Sequence, residues 1–258
     1  MIPLNLNQQT VLITGALGAL GKFLIRRLSE AGATLILTDI LPQNEALQRL
    51  TDWSLASEKI RYHQLDITDP QAVDVTVGDI FKNHPGVNTV IGHAGGCLLH
   101  PFATCSATDY HRVFDFNFFG QTYLARAVLV RWQQHKTAGH LIFTSSYVAQ
   151  IPHKGIPAYA PAKAALENFA KCLALEYAND GIRVNLIAPG NVAAGSSLLV
   201  YEQDTEYRNF VRRVTPNGQR NTPEAIANAF VFLCSPLANE FNGQILHVDN
   251  GLSIPKIG

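Results

Sequence analysis

The sequence has little charge. Only 16% of its 258 residues are charged, and 20 basic side chains balance 20 acidic ones, whereas an average soluble domain is about 25% charged. No block of either sign occurs along the chain. This argues against a nucleic-acid partner or an anionic membrane surface, because both require a concentrated positive field. A chain with so few charged residues is expected to bury more surface than a monomer can. The composition therefore predicts a homo-oligomer.

Long apolar runs, a basic leader and paired cysteines are missing as well. The first charged residue is Lys22, so no basic region opens a secretory signal, and no glycine-free apolar run is long enough to cross a bilayer. The cysteines form no C-x-x-C pair and fit no zinc spacing; they are Cys97, Cys105, Cys172 and Cys234. We therefore expect a cytoplasmic protein with reduced thiols and with neither a metal nor a membrane partner.

Short β-branched runs alternate with longer helical stretches. Predicted strands lie at 10–14, 34–38, 60–64, 89–92, 140–144, 183–187 and 244–248, and predicted helices at 19–31, 42–57, 70–83, 107–135, 159–178 and 222–234. Most strand runs are continuously apolar, as in parallel strands covered by helices on both faces. The pattern predicts an α/β fold, a doubly wound parallel sheet with right-handed crossovers in a single domain spanning residues 1–258.

Residues 190–221 lack a clear period. Irregular segments longer than about 15 residues in a compact domain are usually functional lids or disordered. The leucines and aromatic residues in this stretch favour a substrate lid with short helices.

Two of the predicted helices, 107–135 and 159–178, are apolar on most sides. An ordinary surface helix has one apolar face, so a helix that is apolar nearly all round must be buried on more than its sheet side. A subunit interface would bury it in this way.

A glycine-rich turn follows the first predicted strand and opens the first predicted helix. Its sequence is Thr14-Gly15-Ala16-Leu17-Gly18-Ala19-Leu20-Gly21. Glycines in this place permit a tight turn and a close approach to a pyrophosphate, while the helix N-terminus supplies N–H donors and a positive dipole. The spacing is G-x-x-G-x-x-G, and such turns also occur for purely steric reasons.

Two carboxylates follow at strand ends. Asp39 closes the second predicted strand, where it can accept hydrogen bonds from both ribose hydroxyls of an adenosine and repel a 2′-phosphate. Neither Arg nor Lys lies in the glycine turn or directly after Asp39, so NAD is the preferred cofactor and NADP the less favoured one. Asp66, after the third predicted strand, is a candidate contact for the adenine edge, with a helix-capping turn as the nearly equal alternative.

A tyrosine and a lysine stand four residues apart at the start of the predicted helix 159–178. Tyr159 and Lys163 therefore project from one helical face. A free tyrosine has a pKa of about 10 and is a poor base at neutral pH. We expect the neighbouring ammonium, together with a positive nicotinamide ring, to lower that pKa. Ser146, after the strand 140–144, would stand beside the phenol. Asn117 lies in an aromatic stretch and, if buried, must serve a structural or proton-relay network.

Taken in order, these pieces resemble the short-chain dehydrogenase/reductase family over nearly the whole chain. Further matching pieces are Ala94-Gly95 after the fourth strand, Pro189-Gly190 after the sixth, Thr222-Pro223-Glu224 at a helix start and Val248-Asp249-Asn250-Gly251 near the end. The resemblance implies a seven-stranded Rossmann-like sheet. It also implies a dimer or tetramer packed through the helices at 107–135 and 159–178.

The resemblance also implies roles for single residues. Tyr159 would be the general acid/base, Lys163 would lower its pKa and bind the nicotinamide ribose, Ser146 would polarise the carbonyl, and Asn117 would hold a water that joins Lys163 to solvent. The implied cofactor contacts are Gly15, Leu17, Gly18, Ala19, Leu20, Gly21, Asp39, Asp66, Ile67, Ala94, Gly95, Tyr159, Lys163, Pro189, Gly190 and Val192.

The implied function is an NAD-dependent oxidoreductase that interconverts a secondary alcohol and a ketone or aldehyde. Two alternatives stay open: a catalytically silent NAD-binding protein on the same fold, and a 3-ketoacyl reductase that uses NADPH. Sugars, hydroxy acids and cyclic alcohols all remain possible substrates.

Three departures from the family pattern bear on the site. Ala19 stands where short members of the family have glycine, and Gly92-His93 replaces the usual Asn-Asn before Ala94-Gly95. Ala194 stands where a threonine commonly holds the carboxamide, with Ser196 and Ser197 as the candidate replacements.

Overall fold

The computed structural model describes residues 4–254, except for the side chains of Ser196 and Leu199. These residues form one parallel sheet with the strand order β3-β2-β1-β4-β5-β6-β7. The strands are β1 Thr10–Thr14, β2 Thr34–Asp39, β3 Ile60–Gln64, β4 Val87–Gly92, β5 Gly139–Thr144, β6 Ile182–Pro189 and β7 Ile245–Val248. The predicted doubly wound, seven-stranded sheet is thereby confirmed.

Helices connect the strands and cover both faces of the sheet. They are α1 Gly21–Glu30, α2 Gln43–Asp52, α3 Pro70–Asn83, α4 Ala107–Phe114, α5 Gly120–His135, α6 Tyr159–Glu176, α7 Gly195–Gln203, α8 Thr205–Val214 and α9 Pro223–Cys234. The bounds of α3 agree with the predicted 70–83, because the Asp69 side chain caps its first turn and Pro70 follows directly.

The core consists of one layer on each face of the sheet. Along β1, Val11 and Ile13 pack into the layer that contains α1 and α9, whereas Leu12 packs into the layer that contains α3, α5 and α6. All three side chains are fully buried. This alternation between two covered faces explains why the strands read as continuous apolar runs rather than as alternating ones.

Two predicted helical regions differ in detail, whereas a third agrees. The prediction 42–57 is too long, since α2 ends at Asp52 and Ser54 has a left-handed φ of 58°. The prediction 107–135 is broken by a π-helical segment, Asp115–Phe119, between α4 and α5. Residues 190–221 contain the short helices α7 and α8, as predicted for that stretch, and their service as a lid stays a prediction.

The helices α5 and α6 bury most of their apolar side chains within this chain. Two apolar side chains in this region are more exposed. Phe119, directly before α5, is 40% exposed, and Val130, within α5, is 36% exposed. The predicted subunit interface therefore has apolar surface available, and it stays a prediction. In the part of the chain described, no helix combines the length and apolarity needed to cross a membrane.

Candidate active site

A cavity of about 920 Å³ opens at the carboxyl ends of the strands. The sheet order reverses between β1 and β4, and such a switch point is where doubly wound sheets bind ligands. The predicted site residues that line this cavity are Gly15, Gly18, Ala19, Leu20, Asp39, Asp66, Ile67, Ala94, Gly95, Ser146, Tyr159, Lys163, Pro189, Gly190 and Val192. Leu17, Gly21 and Asn117 lie outside its wall.

The glycine turn is shaped by close backbone contacts. Gly15 has a φ of 63°, and a Cβ there would lie 2.6 Å from the Ala94 Cα, so the turn tolerates no side chain at this position. A Cβ on Gly21 would lie 2.0 Å from the carbonyl oxygen of Ala16. Gly21 therefore serves close packing at the start of α1, and its contact with a cofactor stays a prediction.

Asp39 connects the end of β2 to the glycine turn. Its Oδ2 accepts a hydrogen bond from the backbone N–H of Leu17 at 2.9 Å. The Leu17 side chain is buried in the core and lies outside the cavity wall, and its contact with a cofactor stays a prediction. The carbonyl oxygen of Leu17 accepts a bond from Arg49 Nη1 at 3.2 Å. A basic side chain from α2 thus reaches the turn, which the sequence analysis did not anticipate.

Asp66 forms a local turn at the edge of the cavity. Its Oδ1 accepts bonds from the backbone N–H and from the hydroxyl of Thr68, at 2.9 and 2.7 Å. The turn is therefore present, but it does not cap α3, whose first turn is capped by Asp69. Asp66 also lines the cavity, and its contact with a ligand stays a prediction.

The predicted catalytic side chains Ser146, Tyr159 and Lys163 are brought together in the cavity wall. Tyr159 is the first residue of α6, one turn before Lys163, and the Lys163 Nζ lies 5.8 Å from the centre of the tyrosine ring. Lys163 is buried and donates a hydrogen bond to the carbonyl oxygen of Thr144 at 2.8 Å. Ser146 follows β5 and its hydroxyl bonds to the phenol.

The electrostatics of these groups are dominated by burial. Burial raises the pKa of Tyr159, the Cys97 thiol raises it further, and the bond from Ser146 lowers it only in part. These groups therefore leave the pKa of Tyr159 raised, and the lowering expected from Lys163 together with a nicotinamide ring stays a prediction. Lys163 is itself buried: burial lowers its pKa to about 8, although Cys97 and Glu167 both act to raise it.

Asn117 is fully buried in the π-helical segment. Its Oδ1 accepts a bond from the backbone N–H of Gly96 at 3.3 Å, and its Nδ2 donates to the carbonyl oxygens of Gly96 and Val113 at 2.8 and 2.9 Å. Asn117 therefore ties the loop after β4 to the helix pair α4–α5, the structural role that the sequence left open. Its predicted water beside Lys163 stays a prediction.

His93 takes the place of the strand-bridging amide that is absent from this chain. Its Nδ1 lies 2.9 Å from the Thr144 Oγ1, and its backbone N–H donates to the Thr14 Oγ1 at 3.1 Å, so it links the ends of β1, β4 and β5. Burial and the charge of Lys163 lower the pKa of His93 to about 4, which keeps the ring neutral at physiological pH. The sequence shows that His93 stands in place of the usual amide, but it left open whether His93 takes over the bridging contact.

Asn191 lines the cavity and was not among the predicted site residues. It is buried, and its Oδ1 accepts a bond from the Tyr147 hydroxyl at 3.4 Å, whereas its Nδ2 has no partner among the described residues. The sequence signal that could have identified Asn191 as a site residue is its position directly after Pro189-Gly190. Ser197 also lines the cavity, and its hydroxyl donates to the Val192 carbonyl oxygen at 2.6 Å. The side chain of Ser196, the other candidate replacement, lies outside the described residues.

Comparisons with known proteins agree over nearly the whole chain. A protein-family model described as enoyl-(acyl carrier protein) reductase matches residues 15–253. The 7alpha-hydroxysteroid dehydrogenase of Escherichia coli K12 is 30% identical over 96% of this chain and 95% of its own length. The 3-oxoacyl-(acyl-carrier-protein) reductase FabG of Vibrio cholerae is 28% identical over 96% of this chain and 99% of its own length.

Solved structures are similar in fold. The crystal structure of gox2181 has a TM-score of 0.91 at 24% identity and covers 98% of both chains. A putative 2-deoxy-d-gluconate 3-dehydrogenase from Agrobacterium tumefaciens, solved with bound NADP, has a TM-score of 0.86 at 26% identity. That similarity covers 98% of this chain and 99% of the other.

Proposed function

The chain belongs to the short-chain dehydrogenase/reductase family, whose relatives are oxidoreductases, and on that premise we propose that it is an NAD-dependent enzyme interconverting a secondary alcohol and a ketone or aldehyde. The observation that carries the proposal is the joint presence of Ser146, Tyr159 and Lys163 in the wall of the cavity that also contains the glycine turn and Asp39. A proton-transfer group and a dinucleotide cradle in one cavity are what such a reaction requires.

The residues of the cavity fit a dinucleotide. Gly15 leaves its backbone open where a Cβ would meet Ala94, the α1 N-terminus begins at the turn, and Asp39 offers a carboxylate at the end of β2. The glycine turn would hold the pyrophosphate, and Asp39 would bind the adenosine ribose. Pro189 and Gly190 would contact the nicotinamide end of the dinucleotide. When bound, the nicotinamide supplies or accepts the hydride.

The side chains of the chain supply the proton. In reduction, Ser146 donates a hydrogen bond to the carbonyl oxygen and the Tyr159 hydroxyl gives it a proton; in oxidation, the tyrosine takes that proton back. Since burial raises the pKa of Tyr159, the phenol is protonated at neutral pH, which suits carbonyl reduction. Lys163 provides the positive charge that favours the phenolate in the reverse direction.

NAD is proposed as the cofactor because Asp39 faces the ribose end and Ile40, rather than a basic residue, follows it. The second candidate, an NADPH-dependent 3-ketoacyl reductase, draws support from the similarity to the Vibrio cholerae reductase and from Arg49, whose guanidinium reaches the glycine turn. The two are separated by the cofactor: a tenfold or greater preference for NADPH would contradict the first proposal.

Residues 190–221 are proposed as the substrate lid. This segment contributes Val192, Ser197, Val200 and Tyr207 to the wall of the cavity that also contains Tyr159. We further propose a homo-oligomer, dimer or tetramer, and a cytoplasmic location, for which the four free cysteines of the chain give support.

Replacing Tyr159 by Phe tests the enzymatic proposal. The variant removes one hydroxyl, so we expect turnover to fall about 100-fold or more, while the NADH dissociation constant, measured by fluorescence titration, changes by no more than about twofold. A screen of secondary alcohols with NAD and of ketones with NADH would supply the assay. Tyr177→Phe, the same change at the other end of α6 and outside the cavity, is the matched control and should keep full activity.

The outcomes separate the candidates. Turnover that survives in Tyr159→Phe would remove tyrosine from the mechanism. Wild-type protein that binds NADH and converts no compound of the screen would instead favour the catalytically silent alternative.

A further inference from the structure

A buried carboxylate lies one helical turn beyond Lys163. Glu167 is only 6% exposed, and its Oε1 accepts a hydrogen bond from the Ser145 hydroxyl at 2.7 Å; Ser145 is itself 2% exposed. Carboxylates are rarely buried in this way without a partner, because removing the charge from water is costly. Neither residue lies among the groups that the proposed reaction uses, so the pair calls for an explanation.

The position of Ser145 provides one. It stands between Thr144, whose carbonyl oxygen accepts the bond from Lys163, and Ser146, whose hydroxyl bonds to Tyr159. Three consecutive residues at the end of β5 and directly after it are thus each attached to α6. The bond from Ser145 to Glu167 is the middle attachment, and it fixes the segment that carries the other two.

The same carboxylate also places a charge near Lys163. The ionisable groups that face this ammonium are Tyr159 and Glu167 on its own helix and His93 and Cys97 from the segment after β4. Burial raises the pKa of Cys97 to about 11 and lowers the pKa of His93 to about 4, so both are neutral at pH 7. Tyr159 is neutral as well, since its pKa is raised. Of these four groups, Glu167 is left as the one that supports the lysine charge.

We propose that Glu167 is a positioning residue for the proposed reaction: through Ser145 it fixes the segment 144–146 against α6, and its charge holds Lys163 in the ammonium form. The inference rests on the proposed function, because Ser146, Tyr159 and Lys163 have their roles there. It is distinct from a merely structural pairing, which would require the hydrogen bond and not the charge.

The charge is tested by following the titration of Lys163 directly. In protein labelled with 13C at the lysine Cε, the Lys163 resonance is assigned from its loss in Lys163→Arg, and its midpoint in the wild type is expected near pH 8. In Glu167→Gln the amide oxygen still accepts the bond from Ser145, yet the charge is gone. We therefore expect the midpoint to fall by about one unit.

Matched variants separate charge from hydrogen bond. Glu176→Gln, at the exposed end of the same helix, should leave the midpoint unchanged. Ser145→Ala keeps the carboxylate and should move the midpoint less than Glu167→Gln does. A wild-type midpoint retained in Glu167→Gln would overturn the proposal. If that variant does not fold, Glu167→Met takes its place, because it also removes the charge at a similar side-chain length, and an unchanged midpoint there would have the same meaning.

The pH dependence of ketone reduction gives the second readout. A reduction that needs the Lys163 ammonium is lost as the pH rises through the lysine pKa, so Glu167→Gln should lose activity at lower pH than the wild type, with the NADH dissociation constant at pH 6 unchanged. The ketone reduced fastest by the wild type is the probe. If the wild type reduces no ketone, the proposed function fails while the NMR midpoints still decide the role of Glu167.

Discussion

Asp39 is the residue on which the choice of cofactor depends. Its Oδ2 is engaged by the Leu17 N–H, which orients the carboxylate at the end of β2 and leaves its other oxygen available. In Asp39→Asn the amide oxygen still accepts from Leu17, so the turn keeps its support while the negative charge is lost. We expect the preference for NADH over NADPH, taken as the ratio of kcat/KM values, to fall by about tenfold or more, since a bond to a charged group contributes roughly 1.5–3 kcal/mol.

Asp52→Asn is the control for this change. Asp52 is exposed at the end of α2 and accepts a bond from Gln48, so its loss of charge should leave the cofactor ratio as it is. An Asp39→Asn enzyme with the wild-type ratio would mean that Asp39 does not select the cofactor, and Arg49 would become the residue to examine.

At the residue scale, the sequence predicts candidate site residues that lie at strand ends. Asp39, Ser146 and Pro189 all line the cavity, because the carboxyl ends of parallel strands share one edge of the sheet, and their roles stay predictions. Glu167 and Asn191 were missed because their significance depends on burial and on partners far along the chain. The raised pKa of Tyr159 could not be foreseen for the same reason: spacing identifies the neighbouring lysine, whereas desolvation is a property of the folded cavity.

At the scale of elements, the turn between β1 and α1 depends on Gly15 more than on Gly18. Gly15 has a left-handed φ of 63°, and an added Cβ would lie 2.6 Å from the Ala94 Cα in the segment after β4. An alanine there adds backbone strain of about 1–3 kcal/mol and pushes the two segments apart. We expect Gly15→Ala to lower both the melting temperature and the affinity for NADH.

Gly18→Ala is the matched substitution within the same turn. A Cβ on Gly18 would meet only the Gly15 carbonyl oxygen, at 3.4 Å, which is nearly an ordinary contact. Its melting temperature should stay within a few degrees of the wild type, measured side by side with Gly15→Ala. Equal losses in the two variants would show that the turn tolerates no methyl anywhere, and that the left-handed backbone of Gly15 is not the decisive feature.

Element boundaries were predictable where a local signal marks them. The bounds of α3 followed from Asp69 and Pro70, because a capping carboxylate and a proline in the first turn act through the adjacent backbone. The π-helical segment Asp115–Phe119 could not be foreseen. The apolar period runs through it unchanged, and the feature that accompanies it, the set of bonds from Asn117 to Gly96, joins segments that are distant in sequence.

For the whole molecule, the remaining question is assembly. The low share of charged residues and the apolar surface along α5 both predict a homo-oligomer, and Val130, 36% exposed on that helix, offers a place to test it. An arginine at an apolar interface must be desolvated without a partner, which costs several kcal/mol. We expect the wild type to sediment as a dimer or tetramer at micromolar concentration and Val130→Arg to sediment as a smaller species.

Leu47→Arg distinguishes an interface from a general effect of added charge. Leu47 is 50% exposed on α2, whose buried side chains pack into the core layer on the other face of the sheet from α5 and α6, so this variant should sediment like the wild type. A wild-type protein that sediments as a 28.2 kDa monomer would remove the interface altogether. In that case the low charge must be attributed to the two-sided burial of the sheet, because a parallel sheet covered on both faces already withdraws most of its strand residues from solvent.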